Sequence, residues 1–79
     1  YSYVEHDCVI GDYVTFAPGV RCNGNIRIGD RAYIGSGAVI RQNLTIGADA
    51  VVGMGAFVTK DVPPGVTVVG NPAHILEKN

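Results

Sequence analysis

Residues 4–14, VEHDCVIGDYV, set His6 between Glu5 and Asp7 at the head of an apolar alternation and follow it with a Gly11-Asp12 turn. Imidazole titrates near neutral pH, so His6 is of the type that takes a proton from a nucleophile and later returns it to a leaving group. An adjacent carboxylate favours imidazolium and fixes the tautomer through the other ring nitrogen. Asp7 fills that role only if the chain bends between the two, since neighbours in a straight strand diverge. A polar residue at a solvated corner is the other reading, and the elements that position His6 must be known first.

Those elements repeat. Apolar residues recur at a step of six, at Val4, Ile10, Phe16, Cys22, Ile28, Ile34, Ile40, Ile46, Val52 and Val58. Four residues after each stands a second small or aliphatic side chain, from Cys8 and Val14 through Leu44 to Val62. Gly often follows the first apolar residue (Gly11, Gly29, Gly35, Gly47, Gly53), as expected where a chain bends sharply or takes positive φ. The hexapeptide itself varies in threes: IGDYVT, IGDRAY and IGADAV begin at 10, 28 and 46, and FAPGVR, IGSGAV and VGMGAF at 16, 34 and 52. Eighteen residues therefore make one coil of an all-β triangular prism, with short parallel strands stacked at ~4.8 Å.

In this frame His6 takes the third place of its hexapeptide, an outward corner shared in successive coils by Gly24, Gln42 and Lys60. That removes a buried core histidine from consideration and leaves base and solvated corner both open. The regular step fails at Pro63-Pro64-Gly65, whose prolines donate no ladder hydrogen bonds. VTVVGNPAHILEKN is expected to leave the prism, with a short helix over residues 73–78.

Seventy-nine residues make one domain, small enough that a partner or an oligomer is expected to share its stability. The hydrophobic share of 47% rests on Val, Ile and Ala, with 11 Gly and no Trp, a vocabulary of strands. A formal charge of -1 without a basic run excludes a nucleic-acid-binding strip. No apolar run approaches the ~20 residues of a bilayer span and no signal segment opens the chain, so no membrane insertion and a cytoplasmic location are expected. Because the chain begins Tyr1-Ser2-Tyr3 without Met, sequence upstream is expected. Cys8 and Cys22 lack metal spacing and read as two small hydrophobes.

The stretches EHDCVIGDYVTFAPGVRCNGNIRIGDRAYIGSGAVI and VTKDVPPGVTVVGNPAHIL resemble the sialic-acid O-acetyltransferase and bacillosamine-pathway sugar N-acetyltransferase family of hexapeptide-repeat acyltransferases. The resemblance implies a left-handed parallel β-helix over about residues 4–63 and an extension over 64–79, together one domain at 1–79. Handedness comes from the resemblance alone, because left-handed crossovers break the usual rule for parallel strands. It also implies acetyl-coenzyme A as acetyl donor, a sugar-nucleotide acceptor, a homotrimer with sites between chains, and an upstream nucleotide-sugar-binding domain not included in this sequence.

Residue by residue, the resemblance gives His6 the role of general base and Asp7 that of raising its basicity, with a backbone N–H near Gly24 as oxyanion donor. It assigns coenzyme contacts to Ser36 and Met54, one coil apart, and to Thr15 where relatives commonly have histidine. His74, where relatives carry Arg or Lys, reads as a surface residue, and Arg41 and Lys60 as solvated charges with a second reading as phosphate contacts. Two other functions compete: a non-catalytic trimerising scaffold, and a zinc enzyme like the γ-class carbonic anhydrases. The latter is disfavoured because only His6 and His74 are available and no His-x4-His spacing occurs, so no metal is expected.

Overall fold

The computed structural model describes residues 3–4 and 7–76, so His6 lies outside the described residues. Each hexapeptide yields a two-residue strand, one side chain outward and one inward, and the next four residues carry the chain round a bend. Three faces result. The first stacks β1 (Tyr3–Val4), β4 (Arg21–Cys22), β7 (Val39–Ile40) and β10 (Phe57–Val58). β2 (Val9–Ile10), β5 (Arg27–Ile28) and β8 (Thr45–Ile46) form the second. On the third lie β3 (Thr15–Phe16), β6 (Tyr33–Ile34), β9 (Val51–Val52), β11 (Thr67–Val69) and β12 (His74–Ile75).

All pairings up to β11 are parallel, and Cys22 meets Ile40 as Ile28 meets Ile46 and Ile34 meets Val52, which is the eighteen-residue register expected of a parallel β-helix. Bonds between coils also extend past the strands, with the Val9 N–H donating to the Ile26 carbonyl at 2.8 Å and the Arg27 N–H to Leu44 at 3.0 Å. The inward columns fill the prism: Cys22, Ile40 and Val58 behind the first face, Ile28 and Ile46 behind the second, and Ile34, Val52 and Val68 behind the third are all buried. Burying each such Ile or Val contributes ~1.5–3 kcal/mol. The second inward place holds small Ala32, Ala38, Ala50 and Ala56 as well as the larger Val20 and Ile26, all of them buried. In the first described coil Ile10 is still 37% exposed, so close packing starts one coil later.

Two expectations are corrected. The five glycines after the inward residues do not take positive φ; they let adjacent coils approach. A Cβ on Gly35 would stand 2.7 Å from the Met54 nitrogen, and one on Gly29 2.5 Å from that of Ala48. Positive φ falls two residues later, again at a step of six: Asp7, Tyr13, Gly19, Asn25, Arg31, Gly37, Asn43, Asp49 and Gly55 lie between 60° and 81°.

The second correction concerns the end of the chain. The step breaks before the prolines, between Val58 and Val62, where Val62 bridges Ile46 and the coil is two residues short. The Asp61 carboxylate accepts from the Thr45 N–H at 2.9 Å and closes the shortened corner. Far from leaving the prism, the chain resumes the third face as β11, with Val68 buried against Val52 in the column. Past the cis Asn71-Pro72 peptide, β12 pairs antiparallel with β11 where a helix was expected. The residues on either side of β12 are tied to neighbouring strands, the Ala73 N–H donating to Phe57 and the Leu76 N–H to Thr67 at 2.7 Å.

Candidate functional site

The bends stack into three corners. Asp7, Gly24-Asn25, Gln42-Asn43 and Lys60 lie on the first, between the first and second faces. Asp12-Tyr13, Asp30-Arg31 and Asp49 lie on the second, and Pro18-Gly19, Ser36-Gly37 and Met54-Gly55 on the third, between the third face and the next coil of the first.

At the first corner Asp7 is exposed and held at φ 66°, so the chain bends at this residue. Gly24 is half-buried, and its carbonyl accepts from the Asn43 N–H at 3.1 Å. No described residue accepts from the Gly24 N–H; the same is true of Gln42 and Ser36, so an unpaired donor belongs to these corners in general. Gly24 differs from Gln42, one coil on, in having no side chain to crowd an approaching group. Arg41 and Lys60 are exposed on this corner, and Arg21 and Arg27 flank it on the adjoining faces.

The third corner has the form of a shelf. Ser36 is half-buried with its carbonyl accepting from the Gly55 N–H at 2.8 Å, and Met54 above it is 80% exposed. A Cβ on Gly37 or Gly55 would meet nothing within 4 Å, so the ledge beside Ser36 and Met54 is open. Gly70 continues this corner, with the exposed His74 ring against it: a Cβ on Gly70 would stand 3.2 Å from His74 Nδ1. Thr15 is exposed on the third face beside Tyr33, not on the corner itself.

The structure thus separates the expected site residues into two sets. Asp7 and Gly24 stand on the first corner, Ser36 and Met54 on the third, with Thr15 beyond it, and the whole first face lies between. The second corner carries a feature the sequence reading missed: the Arg31 guanidinium bonds Asp49 through two N–H donors at 2.9 and 3.0 Å. This pairing holds the Asp49 carboxyl below its usual range. Among the described residues no three His, Cys, Asp or Glu side chains group as metal ligands, and no helix is long and apolar enough to cross a membrane.

The sequence pattern of the family described as Bacterial transferase hexapeptide (six repeats) matches residues 25–60. Residues 25–60 of this chain thus carry the hexapeptide repeat of that family. Its full length is 63% identical to the GDP-perosamine N-acetyltransferase of Escherichia coli O157:H7, of which it covers 38%. The domain is also similar to the solved structure of WeeI from Acinetobacter baumannii AYE, with TM-score 0.93 and 72% identity over 96% of this chain and 38% of that one. A third likeness is to the acetyltransferase domain of PglB from Neisseria gonorrhoeae FA1090 in complex with acetyl coenzyme A. There the TM-score is 0.93 and identity 44%, covering 95% of this domain and 37% of that chain. The hexapeptide-repeat domain therefore spans less than half the length of each of these relatives.

Proposed function

We propose that this hexapeptide-repeat domain carries the acetyl-transfer centre of an acetyl-coenzyme A-dependent N-acetyltransferase acting on the amino group of a nucleotide-linked amino sugar. The observation that carries this reading is the 63% identity, sustained over the whole chain, with a protein named as a GDP-perosamine N-acetyltransferase. An amino acceptor is preferred to a hydroxyl on the same ground.

Transfer forms a bond between the acceptor nitrogen and the acetyl carbonyl carbon and breaks the carbon–sulfur bond of the thioester. His6 takes the proton that the nitrogen loses and delivers it to the departing thiolate. Asp7 orients and polarises the imidazole, and the Gly24 N–H donates to the oxygen that gains charge. Ser36, Met54 and the open glycines of the third corner fit an extended coenzyme arm, for which Thr15 supplies a hydroxyl further along.

The first face separates these two sets within one prism, so the site is completed by the third corner of a second chain, in keeping with a homotrimer. The test is His6→Ala in the full-length protein. Acetyl transfer from acetyl-coenzyme A to a nucleotide-linked amino sugar is expected to fall about 10²–10⁴-fold with the fold retained; unchanged turnover contradicts the proposal.

A further inference from the structure

The third corner carries no fixed charge. Residues 32–40, 50–59 and 62–76, which form its two lower bends, the strands on either side and the strand pair that follows, contain no Lys, Arg, Asp or Glu. Their titratable side chains are Tyr33, on the third face, and His74. On the adjoining first face the outward column runs Arg21, Val39, Phe57, which puts its one cation two coils from Phe57.

His74 stands at the end of this shelf. Val68 to Gly70 run alongside the Met54-Gly55 bend, with the Gly53 N–H donating to the Val68 carbonyl at 2.8 Å and the Phe57 N–H to that of Gly70 at 2.9 Å. β12 then turns back and sets His74 opposite Val69. Gly70 has φ 97°, and a Cβ there would lie 3.1 Å from the His74 Cε1, so the imidazole occupies the room that a side chain on residue 70 would take. The ring is nevertheless exposed, and its nitrogens bond no described residue. Neither β11, residues 70–73 nor the Phe57 strand brings a charged or titratable group against it. Lys60 and Asp61, the described charges nearest to it in the chain, belong to the first corner, where Asp61 accepts from the Thr45 N–H.

Coenzyme A is a polyanion with a diphosphate and a 3′-phosphate. We propose that His74, as imidazolium, is the phosphate contact of the third corner and makes coenzyme binding depend on pH. This rests on the coenzyme reading of that corner given above. Protonated imidazole offers two N–H donors and a positive charge whichever way the ring is turned, and both suit a phosphate oxygen. The phosphate in turn favours the charged ring, so the contact is present at acid pH and is lost as pH rises through neutrality.

The experiment measures the Kd of coenzyme A by calorimetry between pH 5.5 and 8.5 for the full-length protein and its His74→Gln and His74→Lys variants. Wild type is expected to bind about 3–10-fold more tightly than His74→Gln at the acid end and within about 2-fold of it at the alkaline end, as suits an exposed charge-assisted contact. Comparing the proteins at each pH removes the titration of the coenzyme's own phosphate, which they share. His74→Lys should hold the tighter binding throughout. Dephospho-coenzyme A locates the contact: loss of the wild-type advantage assigns it to the 3′-phosphate, and its retention to the diphosphate. A ratio of wild type to His74→Gln that is flat across the range, or a His74→Lys protein that loses affinity with rising pH as the wild type does, overturns the contact and leaves the coenzyme site standing. Absence of coenzyme A binding by the wild type at every pH overturns both the contact and the reading of the corner.

Discussion

Seven of the nine corner residues at positive φ are Gly, Asn or Asp, the types that tolerate the left-handed region. That spacing was open to inspection in the sequence, yet the conspicuous glycines after the inward residues drew the inference of positive φ to the wrong column. Arg31 is an exception held by Asp49, while nothing in the structure explains Tyr13. The cysteines read as small hydrophobes, and Cys22 is fully buried while Cys8 is half-buried, with its Sγ 3.4 Å from the Asn23 carbonyl. Burial, with Cys8 nearby, pushes the Cys22 thiol up to about 11. The unfolded chain ionises this thiol first, so the stability present below the ordinary thiol range is lost as pH climbs towards about 11. Denaturation midpoints measured across this window should fall more steeply in the wild type than in Cys22→Ala. In the folded protein a thiol reagent should modify Cys8 before Cys22.

At the scale of elements, the repeat made the fold legible from Val4 to Val58, because a prism admits an inward side chain only at fixed places. The end was not legible, since the loss of two residues between Val58 and Val62 shifts every later position and turns an expected exit into another strand. β12 was missed for a related reason: its pairing is long-range and depends on β11 being in place. The two kinds of glycine separate by substitution. Gly29→Ala drives a methyl into the backbone of the next coil and should cost more than about 2 kcal/mol. Gly37→Ala meets open space and carries only the strain of positive φ, about 1–2 kcal/mol. Reversal of that order in denaturant midpoints would contradict the assignment of close approach to the first and backbone conformation to the second.

Over the whole molecule, the arrangement of the corners bears most on function. The sequence reading grouped His6, Asp7, Gly24, Thr15, Ser36 and Met54 as one site through a resemblance, since periodicity by itself marked all of the corner residues alike. The structure places Asp7 and Gly24 at one edge of the first face and Ser36 and Met54 at the other, with Arg21, Val39 and Phe57 presented outward between them. A site built between chains joins the two edges without moving either. Mixed oligomers test this directly, formed by unfolding and refolding His6→Ala chains together with Met54→Glu chains. The second change puts a negative charge on the exposed shelf where the anionic coenzyme would lie. Each variant alone should be nearly inactive. Random mixing should restore roughly a quarter of wild-type acetyl transfer, from interfaces that join the intact first corner of one chain to the intact third corner of another. If mixing restores no activity while the oligomers form and each variant alone is inactive, the site lies within one chain and the account is wrong.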